Sequence, residues 1–136
     1  MFGSLDVSTS GLVAQRVRMD TIAGNIANAQ ATARADGEPG PYKRRFAVFE
    51  AGDGKGGAGV HVREVMEDPS PGRLVHEPWH PHAIRAGAKQ GYVEYPNVDP
   101  STEMVDAMLA ARAYEANVAA IDVTKSMISS TLRLLV

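Results

Sequence analysis

The sequence predicts a mainly α fold with a small β insertion: N- and C-terminal helices pair as a coiled-coil-like hairpin around a short β-rich middle. Three observations carry this. Residues 1–35 contain no proline, and residues 101–136 contain neither glycine nor proline. Residues 36–100 hold all 8 prolines and ten of the 13 glycines. A seven-residue apolar repeat runs through the C-terminal segment. Helix formers at both ends, with the breakers between them, describe two helices that bury their apolar faces on one another. The expected division is one discontinuous helical domain, 1–35 plus 99–136, and an insertion at 36–98. At 136 residues there is room for a single unit of this kind.

The N-terminal element reads as helix over 1–35. Leu5, Leu12, Met19 and Ile26 recur every seven residues, and Ile22 and Ala23 thicken the stripe near its end. Thr9 and Arg16 dilute it. Gly11 and Gly24 each cost a helix interior about 1 kcal/mol relative to alanine. Such a helix is marginal alone and needs a partner.

The middle has strand texture between breakers. Phe46 and Val48 alternate within 42–50, and Val60, Val62 and Val65 follow. A glycine-rich loop at 51–59 joins the two runs. Short strands are expected at 73–76 and 92–95.

The C-terminal element begins at Asp99-Pro100, an N-cap side chain ahead of proline at the first helical position. With Met104 as position a, the a series is Met104, Ala111, Val118, Lys125, Leu132. The d series is Ala107, Tyr114, Ile121, Ile128, Leu135. All but Lys125 are apolar or aromatic. Five heptads predict a coiled-coil seam about 52 Å long. Lys125 is expected to pack its stem along the seam and hold its ammonium in water.

Composition excludes several classes of function. Fourteen Lys+Arg against 16 Asp+Glu give a formal charge of −2, which disfavours a nucleic-acid binder driven by bulk charge. No apolar run approaches the roughly 18 residues of a membrane span. With no cysteine there are no disulfides and no thiolate chemistry. The N-terminal MFGSLDVSTSGLVAQ has no basic stretch followed by an apolar one, so no cleaved signal peptide is expected.

Candidate chemical motifs are sparse. His76, His80 and His82 lie close together beside Glu77, a composition suited to a metal ion. Pro78 and Pro81 interrupt them, however, which favours a rigid turn with Trp79 packed on the small core. Lys43-Arg44-Arg45 is too short to bind nucleic acid and reads as a solvated strand with Arg44 on the face opposite its neighbours. Glu67-Asp68 reads as a solvated turn before Pro69. No catalytic residue, cofactor site or metal site is expected.

Several of these segments resemble a known family. Ser10-Gly11-Leu12-Val13-Ala14-Gln15-Arg16-Val17-Arg18-Met19-Asp20-Thr21-Ile22-Ala23-Gly24-Asn25-Ile26-Ala27-Asn28-Ala29 resembles the N-terminal motif of bacterial flagellar rod and hook proteins. Pro96-Asn97-Val98-Asp99, Glu103-Met104-Val105 and Ala111-Arg112-Ala113-Tyr114-Glu115-Ala116-Asn117-Val118 resemble their C-terminal motif. The segments 67–71, 76–82 and 91–93, with the short length, are similar to the proximal rod members. Trp79 and His82 depart from the Gly and Asp more usual in that family.

The resemblance implies a structural, self-assembling subunit of the flagellar basal-body rod in the periplasm. It implies export by the flagellar type III apparatus, torque transmission, and terminal helices around the export channel. The implied partners are other rod proteins, copies of the chain itself, and the basal-body ring and export gate at the rod base. Nucleic acid and a direct membrane span are not implied. The expected assembly surface is Leu5, Leu12, Met19, Ile22, Ile26, Met104, Ala111, Tyr114, Val118, Ile121, Ile128, Leu132 and Leu135. Two other readings compete: a small metal-dependent enzyme using His76, His80 and His82, and a helical adaptor binding one partner through its C-terminal seam. Metal analysis separates the first and mass measurement with rod proteins the second.

Overall fold

The computed structural model describes residues 2–35, 40–52 and 57–134. The order is helix α1 (Phe2–Ala27), strands β1 (Arg45–Ala51), β2 (Val60–Glu67), β3 (Arg73–His76) and β4 (Tyr92–Tyr95), and helix α2 (Pro100–Leu134). The expected fold class is borne out: two long helices and a small β region between them.

Helix α1 stops at Ala27, short of the residue 35 expected from the absence of proline. The hydrogen-bond ladder changes just after Asn28. The Asn28 side-chain amide and backbone N–H both donate to the Gly24 carbonyl, 2.8 and 3.1 Å away. Ala29 N–H then turns to the Ile26 carbonyl at 3.2 Å, three residues back, in place of the four-residue helical step. Tight turns at Ala29 and Ala31 follow, and Tyr42 N–H then returns to the Ala31 carbonyl at 3.0 Å. Ala29 is buried beneath this turn.

Helix α2 starts where its cap predicts. The Asp99 carboxylate accepts from Ser101 N–H at 3.1 Å and from the Thr102 hydroxyl at 2.6 Å. Those bonds favour the charged form, the Thr102 bond most, and hold the Asp99 carboxyl below its ordinary value. Pro100, lacking an N–H, occupies a position whose donor has no helical acceptor.

The helices run antiparallel. Asn25 meets Glu103, Arg18 meets Asp106, and Gly11 faces Asn117. Extending that register places the start of α1 beside Ser126. With 26 residues against 35, α2 projects beyond its partner over its last two turns.

Strands β1 and β2 form an antiparallel hairpin with a bulge between Val48 and Phe49. The hairpin lies along α1 and is tied at both ends. Arg45 N–H donates to Asn25 Oδ1 at 2.9 Å, and Val60 N–H donates to Ser10 Oγ at 3.1 Å. Fifteen steps of helix from Ser10 to Asn25 span about 23 Å, and six steps of strand from Arg45 to Ala51, the partner of Val60, span about 20 Å, so the two ties suit one another. Close approach at the tip needs Gly59: its φ is +133°, and a Cβ there would sit 2.6 Å from Ser10 Oγ. Residues 53–56 of the glycine-rich loop lie outside the described residues.

Strands β3 and β4 form a second antiparallel hairpin at the positions expected, with Val93 fully buried beneath it. Asn97 ties it to the first. Its Oδ1 accepts from Arg44 N–H at 2.8 Å, and its amide donates to the carbonyls of Asp68 and Ser70. Among the described residues no helix is long and apolar enough to cross a membrane.

Candidate assembly interface

The most deeply buried positions where the two helices meet are mostly small or polar, with Ile22 among them and Tyr114, Ile121 and Ile128 half-buried alongside. Burial on α2 follows one stripe: Glu103, Ala107, Ala110, Tyr114, Asn117, Ile121, Thr124 and Ile128, alternately four and three apart. This is the expected d series joined by Glu103, Ala110, Asn117 and Thr124. The a series is not its companion. Met104, Val118, Lys125 and Leu132 are exposed, and Ala111 is half-buried. The repeat therefore splits between two surfaces. Its d half faces α1, and most of its a half is turned away.

On α1 the opposing surface is Gly11, Ala14, Ile22 and Asn25, all buried, with Leu5, Leu12, Met19 and Ile26 half-buried beside it. Leu135 lies outside the described residues. Gly11 allows the close crossing: a Cβ there would meet Asn117 Oδ1 at 2.9 Å. The Asn117 amide donates to its own helix, to the Ala113 carbonyl at 2.9 Å.

A buried polar node locks the crossing. Glu103 and Asn25 are both fully buried. Glu103 accepts from Arg44 Nε at 2.6 Å and from Asn25 Nδ2 at 2.9 Å. Asn25 also donates to the Arg45 carbonyl and accepts from Arg45 N–H and the Tyr42 hydroxyl. Arg44 and Arg18 both reach Asp106, each at 3.4 Å. Burial raises the Tyr42 phenol above its ordinary value. A buried carboxylate is tolerated only when paired and hydrogen-bonded, and Glu103 is both. Arg44 is thus not the solvated residue the sequence suggested. Strand alternation put it on its own face, and that face turns out to hold α2.

The exposed surface is unusually apolar. Met104, Val105, Met108 and Leu109 make one patch at the start of α2, each more than half exposed. Val118, Val123, Met127 and Leu132 continue along the helix toward its projecting end. Patches of this kind mark interaction surfaces. A helix apolar on more than one side is one meant to be covered on more than one side.

The histidine segment has a different geometry from a metal centre. His76 packs edge-on against Tyr92, with ring centroids 5.0 Å apart, and His80 and His82 also meet edge-on, at 5.5 Å. His82 N–H donates to His80 Nδ1, and His82 Nδ1 lies 2.9 Å from Thr32 Oγ1. Among the described residues no group of three or more His, Asp or Glu side chains is placed to hold a metal ion. Trp79 does not pack on the core as expected; it is 98% exposed. The prolines on either side fix a turn that points the ring outward. Glu67 and Asp68 also serve separate partners. Glu67 binds Arg34 and Arg45, and Asp68 accepts from Ser70.

Comparison with known proteins decides the family. The family model "Flagella basal body rod protein" matches residues 5–35, and "Flagellar basal body rod FlgEFG protein C-terminal" matches residues 89–134. A flagellar basal-body rod protein FlgC of Borreliella burgdorferi is 41% identical over 150 residues, covering 99% of this chain and 97% of that one. The FlgC of Bacillus subtilis is 40% identical, covering 98% and 97%. That of Escherichia coli O6:H1 is 43% identical, covering 95% and 93%. The chain belongs to the FlgC family of flagellar basal-body rod proteins. It is a structural rod subunit of the flagellar basal body. The two matched segments are the ones that meet in space: Asn25 falls in the first and Glu103 in the second, and the polar node joins them.

Proposed function

We propose that this rod subunit assembles through the outward surfaces of its helical hairpin, with 1–35 and 99–136 acting as one helical unit and 36–98 as its outer insertion. The observation that carries this is the division of the heptad repeat. The d half stabilises the hairpin, and the a half, with Met108 and Leu109, is left for neighbouring chains. In the assembled rod these surfaces bury against other rod proteins and copies of the chain, and the helices line the export channel. At the rod base the partners are the basal-body ring and export gate. The subunit reaches the rod through the flagellar type III apparatus, and the rod carries torque from the motor outward. A seam that leaves half of its apolar repeat uncovered suits a chain that must travel unfolded, because it reaches its most stable state only when those residues also find partners.

The test is a strain whose only copy carries Met108→Asp. The residue is exposed, so the free subunit keeps its stability within about 0.5 kcal/mol. In the rod the same change buries an unpaired carboxylate at every subunit contact. The expected result is exported subunit, no rod, and a non-motile cell. Normal rods and hooks would show that this surface faces solvent in the assembly.

A further inference from the structure

The rod function leaves Trp79 without a role. Its loop is rigid. Pro78 and Pro81 flank it, His80 N–H donates to the Glu77 carbonyl, Ala83 N–H donates to the His80 carbonyl, and Glu77 N–H reaches the Gly91 carbonyl across the loop. A large indole held in water on a stiff turn keeps little entropy to lose on binding, the property of an interface anchor. At the opposite end of the same hairpin is a cleft of about 490 Å³ walled by Pro71, Pro96, Val98 and Pro100, with Gln30 and Asp99 at its rim. Proline faces stack well on aromatic rings. Asp99 supplies a carboxylate acceptor for the indole N–H, and its carboxyl, held below its ordinary value, is ionised at neutral pH.

Charge is complementary too. The loop carries Arg85 and Lys89 beside the histidines, and its one carboxylate, Glu77, is engaged by the Tyr95 hydroxyl. Beside the cleft lie the carboxylates of Asp68 and Asp99, and the one cation on its wall, Arg73, is stacked over the Tyr95 ring. The four-residue strands β3 and β4 separate loop from cleft by ~13 Å, so Trp79 cannot fold back into its own cleft.

We propose that Trp79 of one copy docks into the Pro71–Pro96–Val98–Pro100 cleft of a second copy of this chain. This rests on the reading above that copies of the chain stand side by side in the rod. The two halves of the contact sit at opposite ends of one hairpin, so the contact is heterologous: it propagates around a ring or along a helix instead of closing a dimer. It holds the β regions together independently of the helical surfaces.

The chain has no cysteine, which makes directed cross-linking clean. Arg85→Cys, beside Trp79, and Gln30→Cys, at the cleft rim, are introduced together, leaving Trp79 and the cleft walls intact. Basal bodies from a strain carrying only this variant are treated with a short bis-maleimide. The expected product is a ladder of chain-to-chain oligomers that neither single cysteine gives. Adding Trp79→Ala is expected to reduce the ladder at least tenfold. A ladder unchanged by Trp79→Ala, no ladder from rods that contain the chain, or cross-links from position 85 to a different protein would each overturn the contact while leaving the rod reading standing. Absence of the wild-type chain from isolated rods would remove both.

Discussion

Arg44 and Glu103 make an asymmetric pair. The Glu103 side chain is shut off from water, whereas Arg44 keeps a quarter of its surface exposed and has Asp106 as a second partner. Removing the guanidinium strands a buried carboxylate; removing the carboxylate leaves a cation with water and Asp106 within reach. Arg44→Met should therefore cost about 3–5 kcal/mol, and Glu103→Met distinctly less. Urea denaturation of the two purified variants checks the order, and equal losses would mean that Arg44 contributes no more than its packing. The two helical glycines of α1 differ in the same residue-by-residue way. At Gly24 a Cβ meets nothing closer than the Tyr42 hydroxyl at 3.9 Å, so Gly24→Ala should gain about 0.5–1 kcal/mol from helix propensity. At Gly11 the Cβ displaces Asn117 and its bond to Ala113, so Gly11→Ala should cost about 1 kcal/mol despite the better propensity. Opposite shifts in melting temperature are the expected result. Both glycines look alike in sequence; what separates them is the residue across the seam.

Among the elements, α2 carries apolar residues both on its face toward α1 and on exposed faces. Ile121 is half-buried on the stripe toward α1, and Leu132 is exposed on the part that projects past it. Ile121→Asp should weaken the isolated hairpin by about 1–3 kcal/mol and also block assembly. Leu132→Asp should leave the isolated subunit's circular dichroism and melting unchanged and still block rod formation. Equal behaviour of the two variants in the free subunit would show that the repeat is not divided between an inner and an outer surface. The a and d series were legible as a heptad pattern. Which of the two turned inward was not, because Glu103, Asn117 and Thr124 carry no hydrophobic signal and enter the inner stripe through hydrogen bonding and small size.

Taken as a whole, the molecule has ionic ties whose pH dependence has a definite sign. Hydrogen bonds from Arg34 to Glu67, from Ser70 to Asp68 and from Thr102 to Asp99 hold these carboxyls below their ordinary 4.5 and 3.8. A group whose folded value is depressed contributes stability above the unfolded value and loses it as pH falls through the folded one. The Tyr42 phenol, raised by burial, and the Tyr95 phenol, raised by its bond to Glu77, work in the other direction: their contribution is full below pH 10.0 and is lost above it. Melting temperature should be flat through neutrality, fall below about pH 4 and fall again above about pH 10. A decline already complete at pH 6 would show that these three carboxyls do not govern the acid limb.

What the sequence alone determined follows from local rules. Proline and glycine placement divided helix from strand, Asp99-Pro100 set the start of α2, and alternation located the short strands, because each of these is decided within a few residues of the chain. The paired terminal motifs also placed the chain in its family. What only the tertiary structure decided depends on segments far apart in the chain. Helix α1 ended early in the tight turns at Ala29 and Ala31, and Tyr42 N–H returns to the Ala31 carbonyl beside the polar node. Arg44 acquired its partners because a helix some sixty residues later lies beside it. Trp79, an apolar residue assigned inward by composition, points into water because two prolines fix the turn beneath it. Local chemistry specifies the backbone's course element by element; a side chain becomes core, ion pair or exposed surface according to what the rest of the chain places against it.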